Sequence, residues 1–339
     1  MPDTMRAIDI KGGKGPVDAL FVNDQTPKPT PTKTQALVRI KAFGLNRMDL
    51  LQREGMYPVP PQAPATLGVE FSGVIEGFGS APEKGFSIGD EVFGLAYGGA
   101  YAEYIAVSTH MLVHKPKELS WEQAAGVPET WITALQAMYL IGEFGPGKSI
   151  LWHAGASSVA ISGIQLALAD KAAAVYATAR QDEKCDFVVQ QLGATGAFNA
   201  TKGDWADEVL KATNGKGVDV IIDFVGADYF AGNLKAAALD GRIVNLGFLG
   251  GTKLDGKGAD LGNFIRKRLR FEGSSLRSRD EDYQGKLRDQ LVEHALPKFV
   301  DGSFKIFVEK TFKFEEIIEA HKLMEANKTK GKIICVIDW

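Results

Sequence analysis

The chain has 339 residues, 45% of them hydrophobic and 24% charged, with a formal net charge of -3. That length suggests about two domains, each able to bury an ordinary core. The charge gives no electrostatic reason to expect nucleic acid or an anionic membrane as a partner. No apolar run approaches the roughly 20 residues that span a bilayer, and the first residues, with Asp3 and Asp9, read neither as a signal peptide nor as a presequence. Two cysteines, Cys185 and Cys335, make no disulfide framework, so the expectation is a cytoplasmic protein.

The first third is strand-rich. Residues 36–42 alternate, 68–78 and 90–95 are short apolar runs cut by Gly, and 100–107 follow Gly98-Gly99 as a further strand. Prolines at 27, 29 and 31, then at 58, 60, 61 and 64, mark loops, and the whole predicts a compact antiparallel or barrel-like unit. The rhythm changes after Trp121. Ser120 can cap a helix with Gln123 in capping-box position, and a second helix is predicted over 132–141.

Strands and helices then alternate. The strands expected are 149–154, 174–179, 197–200, 218–225, 242–248 and 270–275. The helices expected are 159–170, 182–192, 205–212, 229–238 and 261–268. Such alternation implies a parallel, doubly wound Rossmann sheet, with 218–225 as a buried central strand. Two amphipathic helices, 283–300 and 314–327, and a strand at 332–337 follow. The simplest architecture is α/β: a Rossmann domain over 127–277, inserted in a second domain made from 1–126 and 278–339, with a cofactor in the cleft between them.

Residues 150–160 carry the chemical signal. An apolar strand runs into Ala154-Gly155-Ala156-Ser157-Ser158 and then a helix starting Val159-Ala160. A tight turn of small residues lets backbone N–H groups approach a pyrophosphate, and the following helix points its positive end at the anion. The fingerprint is degraded, because Ser158 and Ala160 stand where Gly is usual. The nearby Gly142–Ser149 run satisfies G-x-x-x-x-G-K-S. A phosphate loop of that type follows a strand and opens a helix, whereas here a helix precedes and a strand follows, so the run reads as a turn feeding the first Rossmann strand.

The second strand ends Thr178-Ala179-Arg180, with Lys184 one turn into the next helix. An NAD site wants an acid there for the ribose hydroxyl; two cations suit a 2′-phosphate, which points to NADPH. A solvated Arg and Lys at a helix start is the plainer alternative, and Asp182 and Glu183 lie close by.

Together these segments resemble the medium-chain dehydrogenase/reductase superfamily, and within it the zinc-free quinone oxidoreductases. The likeness rests on residues 45–53, on Val127-Pro128-Glu129-Thr130-Trp131-Ile132-Thr133-Ala134, on the turn at 150–168, on 274–280, and on 319–327 with Gly331-Lys332-Ile333-Ile334. It implies a mostly β, GroES-like catalytic domain around the Rossmann domain, a homodimer, and hydride transfer from NADPH to a quinone or similar acceptor. By position, Asn46 and Tyr57 would face the nicotinamide as the catalytic pair. Thr133 would touch the cofactor's phosphate or ribose, and Gly155, Ala156, Ser157, Ser158 and Val159 would cradle the pyrophosphate. Thr178, Arg180, Lys184, Asn199 and Val225 would surround the adenosine end. Phe248, Leu249, Ser275, Leu276 and Arg277 would line the nicotinamide pocket, with Asn327 and Lys332 closing over it. The chain departs from the family pattern at Ser158, Ala160, Arg180-Gln181 and Ala200, which leaves the adenosine contacts open.

Zinc-dependent relatives place Cys where Asn46 stands and His where Val69 stands, so neither ligand type is available, and the five His show no metal-ligand spacing. No nucleophile motif appears, which suits a reaction whose chemistry the cofactor supplies. Tyr57, beside Pro58, is a loop residue that can hydrogen-bond a carbonyl oxygen or simply pack; Asn46, before a helix, is equally a cap. His153, ending a buried strand, reads as a hydrogen-bonded core residue, and Cys185 as a plain helix position. The functions in play are a quinone reductase, an enone or enoyl-thioester reductase, and a non-catalytic NADPH-binding protein.

Overall fold

A computed structural model of the chain describes residues 3–82, 85–254 and 258–339. Its first element is a hairpin, β1 (Thr4–Ile10) antiparallel to β2 (Leu20–Pro27), for which the sequence reading has no strand. Its apolar side is short: Met5 and Ala7 pack with Ala102. The long strand β3 (Gln35–Gly44) follows, then α1 (Arg47–Arg53). Next come β4 (Glu70–Phe78), β5 (Glu91–Leu95), β6 (Tyr104–Ser108) and β7 (Leu112–His114). The capping box at Ser120 forms as expected. Gln123 N–H donates to Ser120 Oγ at 3.2 Å, and Ser120 N–H donates to Gln123 Oε1 at 3.0 Å, opening α2 (Trp121–Ala125).

The helix expected over 132–141 starts earlier and changes pitch. It runs as α3 (Pro128–Leu135) and continues as a π-helical turn over 136–141, closed by Gly142 N–H bonding Ala137 O at 2.9 Å.

Residues 133–276 form one compact unit. Its strands are β8 (Ser149–Trp152), β9 (Ala174–Ala179), β10 (Gly196–Asn199), β11 (Val218–Asp223), β12 (Ala237–Asn245) and β13 (Arg270–Gly273). All pair in parallel, in the order β10-β9-β8-β11-β12-β13, the doubly wound order. The crossovers carry α4 (Ser158–Ala169), α5 (Asp182–Gln190), α6 (Trp205–Ala212), α7 (Phe230–Ala236) and α8 (Gly262–Lys267). One correction matters for the site. β12 begins five residues before the predicted Arg242 and stops at Asn245, so Phe248 and Leu249 lie on the loop beyond it. The apolar run from 242 to 248 set the prediction; the pairing of Val218 with Ala237 extends the real strand backwards.

Residues 1–132 and 277–339 form the other unit. The divisions fall at 132/133 and 276/277, against the 126/127 and 277/278 expected. The predicted helix 283–300 is two, α9 (Glu281–His294) and α10 (Leu296–Val300), parted at Ala295 just before Pro297, which has no N–H to continue the ladder. The strand β14 (Val308–Lys313) was not anticipated: its charged alternation suits an exposed sheet edge, a pattern that hides strands in a sequence. A single 3₁₀ turn leads into α11 (Ile317–Glu325), and β15 (Lys332–Val336) is the last strand of the chain. That sheet has the order β14-β15-β3-β4-β5-β7, with β6 also on β3.

Candidate functional site

In the 133–276 unit the turn after β8 has the shape a pyrophosphate site needs. Ser157 caps α4, its Oγ accepting from Ala160 N at 3.4 Å. Gly155 N–H bonds Thr178 O at 2.8 Å, and a Cβ on Gly155 would lie 2.6 Å from the Ala177 methyl, so only Gly lets the turn sit this close to β9. Ala154, at φ +50°, holds the left-handed conformation that Gly usually takes. Ser158 and Val159 are the first helical residues. The close helix–strand approach that the family pattern puts at the Ala160 position falls instead on Gly163, where an added Cβ would lie 1.9 Å from the Trp152 ring. The sequence signal for it was an isolated Gly inside a helical pattern.

His153 is a strut. It is fully buried, hydrogen-bonded to Thr178 Oγ1 at 2.8 Å and to Asn233 Oδ1 at 2.7 Å, and flanked by the rings of Trp205 and Tyr229. Asn233 in turn donates to Asp223 Oδ2 at 3.0 Å, while Val225 N–H bonds Asp223 Oδ1 at 2.7 Å. Burial lowers the imidazole's pKa, so it stays neutral and ties the ends of β8, β9 and β11 together.

At the end of β9, Arg180 is exposed and acts electrostatically on Tyr229, whose phenol also bonds Thr178. Lys184 is partly buried on α5. The neighbouring acid is already engaged: Asp182 accepts from Asn199 Nδ2 at 2.7 Å and is ion-paired with Lys202, and those bonds hold its carboxyl below the usual range. Lys202 was not singled out from the sequence. Thr133 Oγ1 is buried with no hydrogen-bond partner among the described residues. Phe248 and Leu249 are about 60% exposed on a loop pinned by Leu249 N–H to Phe224 O and Gly250 N–H to Val225 O. Ser275 is exposed and Leu276 buried. A hollow of about 560 Å³ bounded by Ala200, Trp205, Asp228, Tyr229, Lys235 and Asp260 lies in this unit, and none of the turn residues 154–159 lines it.

The other unit assembles a cluster of buried charge around Asn46. Asn46 is the N-cap of α1 in a capping box with Asp49, and its N–H donates to Asp49 Oδ2 at 2.8 Å. Its side-chain amide does a second job: Nδ2 donates to Glu70 Oε1 at 2.9 Å, and Oδ1 accepts from Lys332 Nζ at 3.0 Å. Lys332 also bonds Leu45 O at 2.8 Å and forms a buried ion pair with Glu70. The second oxygen of Glu70 takes Glu129 N–H at 2.9 Å.

Behind this cluster, Tyr101 OH donates to Asp49 Oδ2 at 3.0 Å and meets His321 Nε2 at 3.3 Å. His321 Nδ1 accepts from Arg53 Nη1 at 3.1 Å, and Arg53 pairs with Glu325 at 2.7 Å. Burial, then the Arg53 charge, lowers His321 to about 3, while burial raises Asp49 to about 6. Arg277 is buried, donating to Tyr97 O at 2.6 Å and Gln52 Oε1 at 2.8 Å, with its guanidinium 5.3 Å from the Tyr57 ring centroid. Asn327, in left-handed conformation, accepts from Arg47. So Asn46 and Lys332 meet in one cluster and Tyr57 and Arg277 in an adjoining contact, while Asn327 is exposed on a separate turn. Glu70, Asp49 and Glu129 were missed; a charged residue inside the apolar Val69-Glu70-Phe71 run was the available signal.

Residues 32–117 match the family model described as an alcohol dehydrogenase GroES-like domain, and residues 158–293 the one described as a zinc-binding dehydrogenase. The protein is thus an oxidoreductase built around a nicotinamide-dinucleotide fold. The chain belongs to the medium-chain dehydrogenase/reductase superfamily, on the quinone oxidoreductase-like side of it. It is 30% identical to quinone oxidoreductase-like protein 2 of Bos taurus over 93% of this chain and 88% of that one. Among solved structures it is similar to an NAD-dependent alcohol dehydrogenase, with TM-score 0.85, 31% identity, and coverage of 98% and 100%. It is also similar to CurK enoyl reductase, with TM-score 0.84, 26% identity, and coverage of 99% and 100%. No helix among the described residues is long and apolar enough to cross a membrane.

Proposed function

We propose that the protein is a zinc-independent reductase that uses NADPH to reduce quinones or similar conjugated carbonyls. The observation that carries the cofactor choice is Arg180. It stands exposed where an NAD site places an acid, and the neighbouring Asp182 is ion-paired with Lys202 and bonded by Asn199. The residues present fit the cofactor: a capped twelve-residue helix starts at the turn, Gly155 admits a close backbone approach, and the buried Thr133 hydroxyl has no hydrogen-bond partner among the described residues. When bound, NADPH supplies the hydride.

In this reading Gly155, Ala156, Ser157, Ser158 and Val159 hold the pyrophosphate. Arg180 and Lys184 take the 2′-phosphate, with Thr178, Asn199 and Val225 around the adenosine. Phe248, Leu249, Ser275 and Leu276 offer apolar and small-residue contacts to the nicotinamide, joined by Arg277, Asn327 and Lys332. Asn46 and Tyr57 orient the substrate oxygen. The absence of a resident metal is supported by the donor set: Asn46 and Val69 replace the ligand types, and the Asn46 amide is engaged by Glu70 and Lys332.

A homodimer through the β13 edge fits the exposed Phe271, Ile265 and Leu261. Two buried free thiols suit a reducing, cytoplasmic location.

The resemblance to an enoyl reductase keeps enones beside quinones as substrates. The test is turnover with NADPH and NADH against a panel of quinones and enones, with and without chelator. Turnover of the panel with NADPH that survives chelation supports the reading; dependence on stoichiometric zinc, or no turnover of any member, overturns it.

A further inference from the structure

We propose that Tyr229 fixes the adenosine ribose of the cofactor, its phenol oxygen accepting a hydrogen bond from the 3′-hydroxyl beside the 2′-phosphate that Arg180 takes. The proposal rests on the reading above that this chain binds NADPH, and every residue it uses lies in the 133–276 unit.

Tyr229 stands on the loop between β11 and α7 and lines the hollow together with Ala200 and Trp205. Ala200, one of the departures from the family pattern, offers that hollow only a methyl. The Tyr229 ring is held on two sides, with the His153 ring centroid at 4.7 Å and the Trp205 centroid at 5.1 Å. Its half-buried phenol reaches the end of β9, where it bonds Thr178 and feels the charge of Arg180.

The buried groups behind the phenol decide which way its hydrogen bond runs. Asp223 is fully buried, and four donors converge on its carboxylate: Val225 N–H at 2.7 Å, Gly226 N–H at 3.1 Å, Asn233 Nδ2 at 3.0 Å and Asn245 Nδ2 at 3.3 Å. A carboxylate surrounded in this way only accepts. Asn233 must therefore turn its NH₂ to Asp223 and its Oδ1 to His153, whose Nε2, 2.7 Å away, carries the ring proton. Burial keeps the imidazole neutral, which leaves Nδ1 bare. Nδ1 accepts from Thr178 Oγ1 at 2.8 Å, and that uses the one proton the hydroxyl has. Thr178 Oγ1 can then only accept from Tyr229, whose phenol burial keeps protonated. The chain of bonds ends with the Tyr229 proton pointing inward and its oxygen left as an acceptor next to a cation.

An oxygen in that state cannot donate to a phosphate. The donors at the adenosine end of NADPH are the ribose 3′-hydroxyl and the adenine amine, and the hydroxyl is the one adjacent to the 2′-phosphate. With Arg180 on the phosphate, the acceptor beside Arg180 meets the 3′-hydroxyl. NADH carries the same hydroxyl, so Tyr229 serves both cofactors while Arg180 separates them.

The test uses Tyr229→Phe, which removes one oxygen and keeps the ring between His153 and Trp205. Adenosine 2′,5′-bisphosphate and its 3′-deoxy analogue are the probes, read by calorimetry. Wild type should bind the analogue about 3–10-fold more weakly, the contribution of one neutral hydrogen bond. Tyr229→Phe should bind the parent compound weaker by the same factor and should no longer distinguish it from the analogue. NADPH and NADH should lose affinity equally in this variant. Arg180→Ala should weaken both probes and leave their ratio as in wild type. Nitrogen NMR of the ligand-free protein should show His153 as the neutral Nε2–H tautomer. A wild type indifferent to the 3′-hydroxyl overturns the proposal, as does a Tyr229→Phe protein that keeps the full 3′-deoxy penalty, or an Nδ1–H His153. In those cases NADPH still binds through Arg180 and the cofactor reading stands. If wild type binds neither the bisphosphate nor NADPH, that reading has itself failed and the role of Tyr229 falls with it.

Discussion

Replacing Arg180 with Ala separates the two cofactors. An arginine–phosphate contact is charge-assisted and contributes about 1.5–3 kcal/mol when sheltered. Arg180 is exposed, so solvent and salt screening reduce this to about 1–2 kcal/mol, or roughly 5–30-fold in affinity. Asp182 opposes part of the attraction, and its ties to Lys202 and Asn199 lessen that opposition. NADH, lacking the phosphate, should lose less than about twofold. The measurement is a fluorescence titration of both reduced cofactors against wild type and Arg180→Ala at low and high salt. NADPH binding should weaken with salt in wild type and become as salt-insensitive as NADH binding in the variant. Equal affinities for the two cofactors in wild type, or equal losses of both in the variant, would refute the reasoning.

His321 titrates at about 3 in the folded chain against about 6.5 when unfolded, so its stabilising contribution is complete above the unfolded value and is lost as pH falls toward 3. At pH 5 the loss is about 2 kcal/mol by linkage; urea unfolding of His321→Asn should show a shallower decline between pH 7 and 5, and an unchanged slope would clear His321 of the effect. Asp49 and Glu129, raised rather than lowered, act in the opposite direction over the same range, so only the difference between variant and wild type is diagnostic. Gly163→Ala drives a methyl into the buried Trp152 ring and should cost about 3 kcal/mol in urea unfolding; a cost below about 0.5 kcal/mol would mean α4 can move away from β8. Light scattering at micromolar concentration should give a dimer mass that Phe271→Lys reduces to a monomer, and a monomeric wild type would remove the β13 edge from consideration.

The doubly wound sheet was legible because its signal is local. Val218–Asp223 is an apolar run, bounded by Gly and followed by a helix, and needs no distant partner to be read. The same locality misplaced β12, whose backward extension comes from pairing with Val218. It also hid β14, whose charges are what an edge strand requires. In the site, Arg180 could be read from its place at a strand end, but the pairing of Asp182 could not: Lys202 and Asn199 reach it from 20 and 17 residues away. The Asn46 cluster was less legible still. Glu70, Glu129 and Lys332 are separated by 59 and more residues, and only folding shows that one carboxylate holds the other two. His153 could be read as a core residue because it ends an apolar strand, although its partners Thr178 and Asn233 lie on other elements.

The two units place positive charge under opposite conditions, and this bears on the substrate. Arg180 is exposed and free to meet an anion that arrives and leaves. Lys332 is 3% exposed and fixed by Glu70, Asn46 and the Leu45 carbonyl. Breaking such a buried pair by removing one partner costs about 3–5 kcal/mol, because the other charge stays behind uncompensated. Lys332 is therefore part of the scaffold that aims the Asn46 amide and not a cation available to polarise a carbonyl. Beside the neutral Asn46 amide stand the Tyr57 phenol and the Arg277 guanidinium, a buried cation already donating to Tyr97 O and Gln52 Oε1. Such groups can orient an oxygen and donate a proton, but they stabilise developing negative charge less than a metal ion does. An acceptor that spreads its own charge over a conjugated system needs least of that help, which is the physical reason to expect quinones and enones here in preference to simple ketones or alcohols.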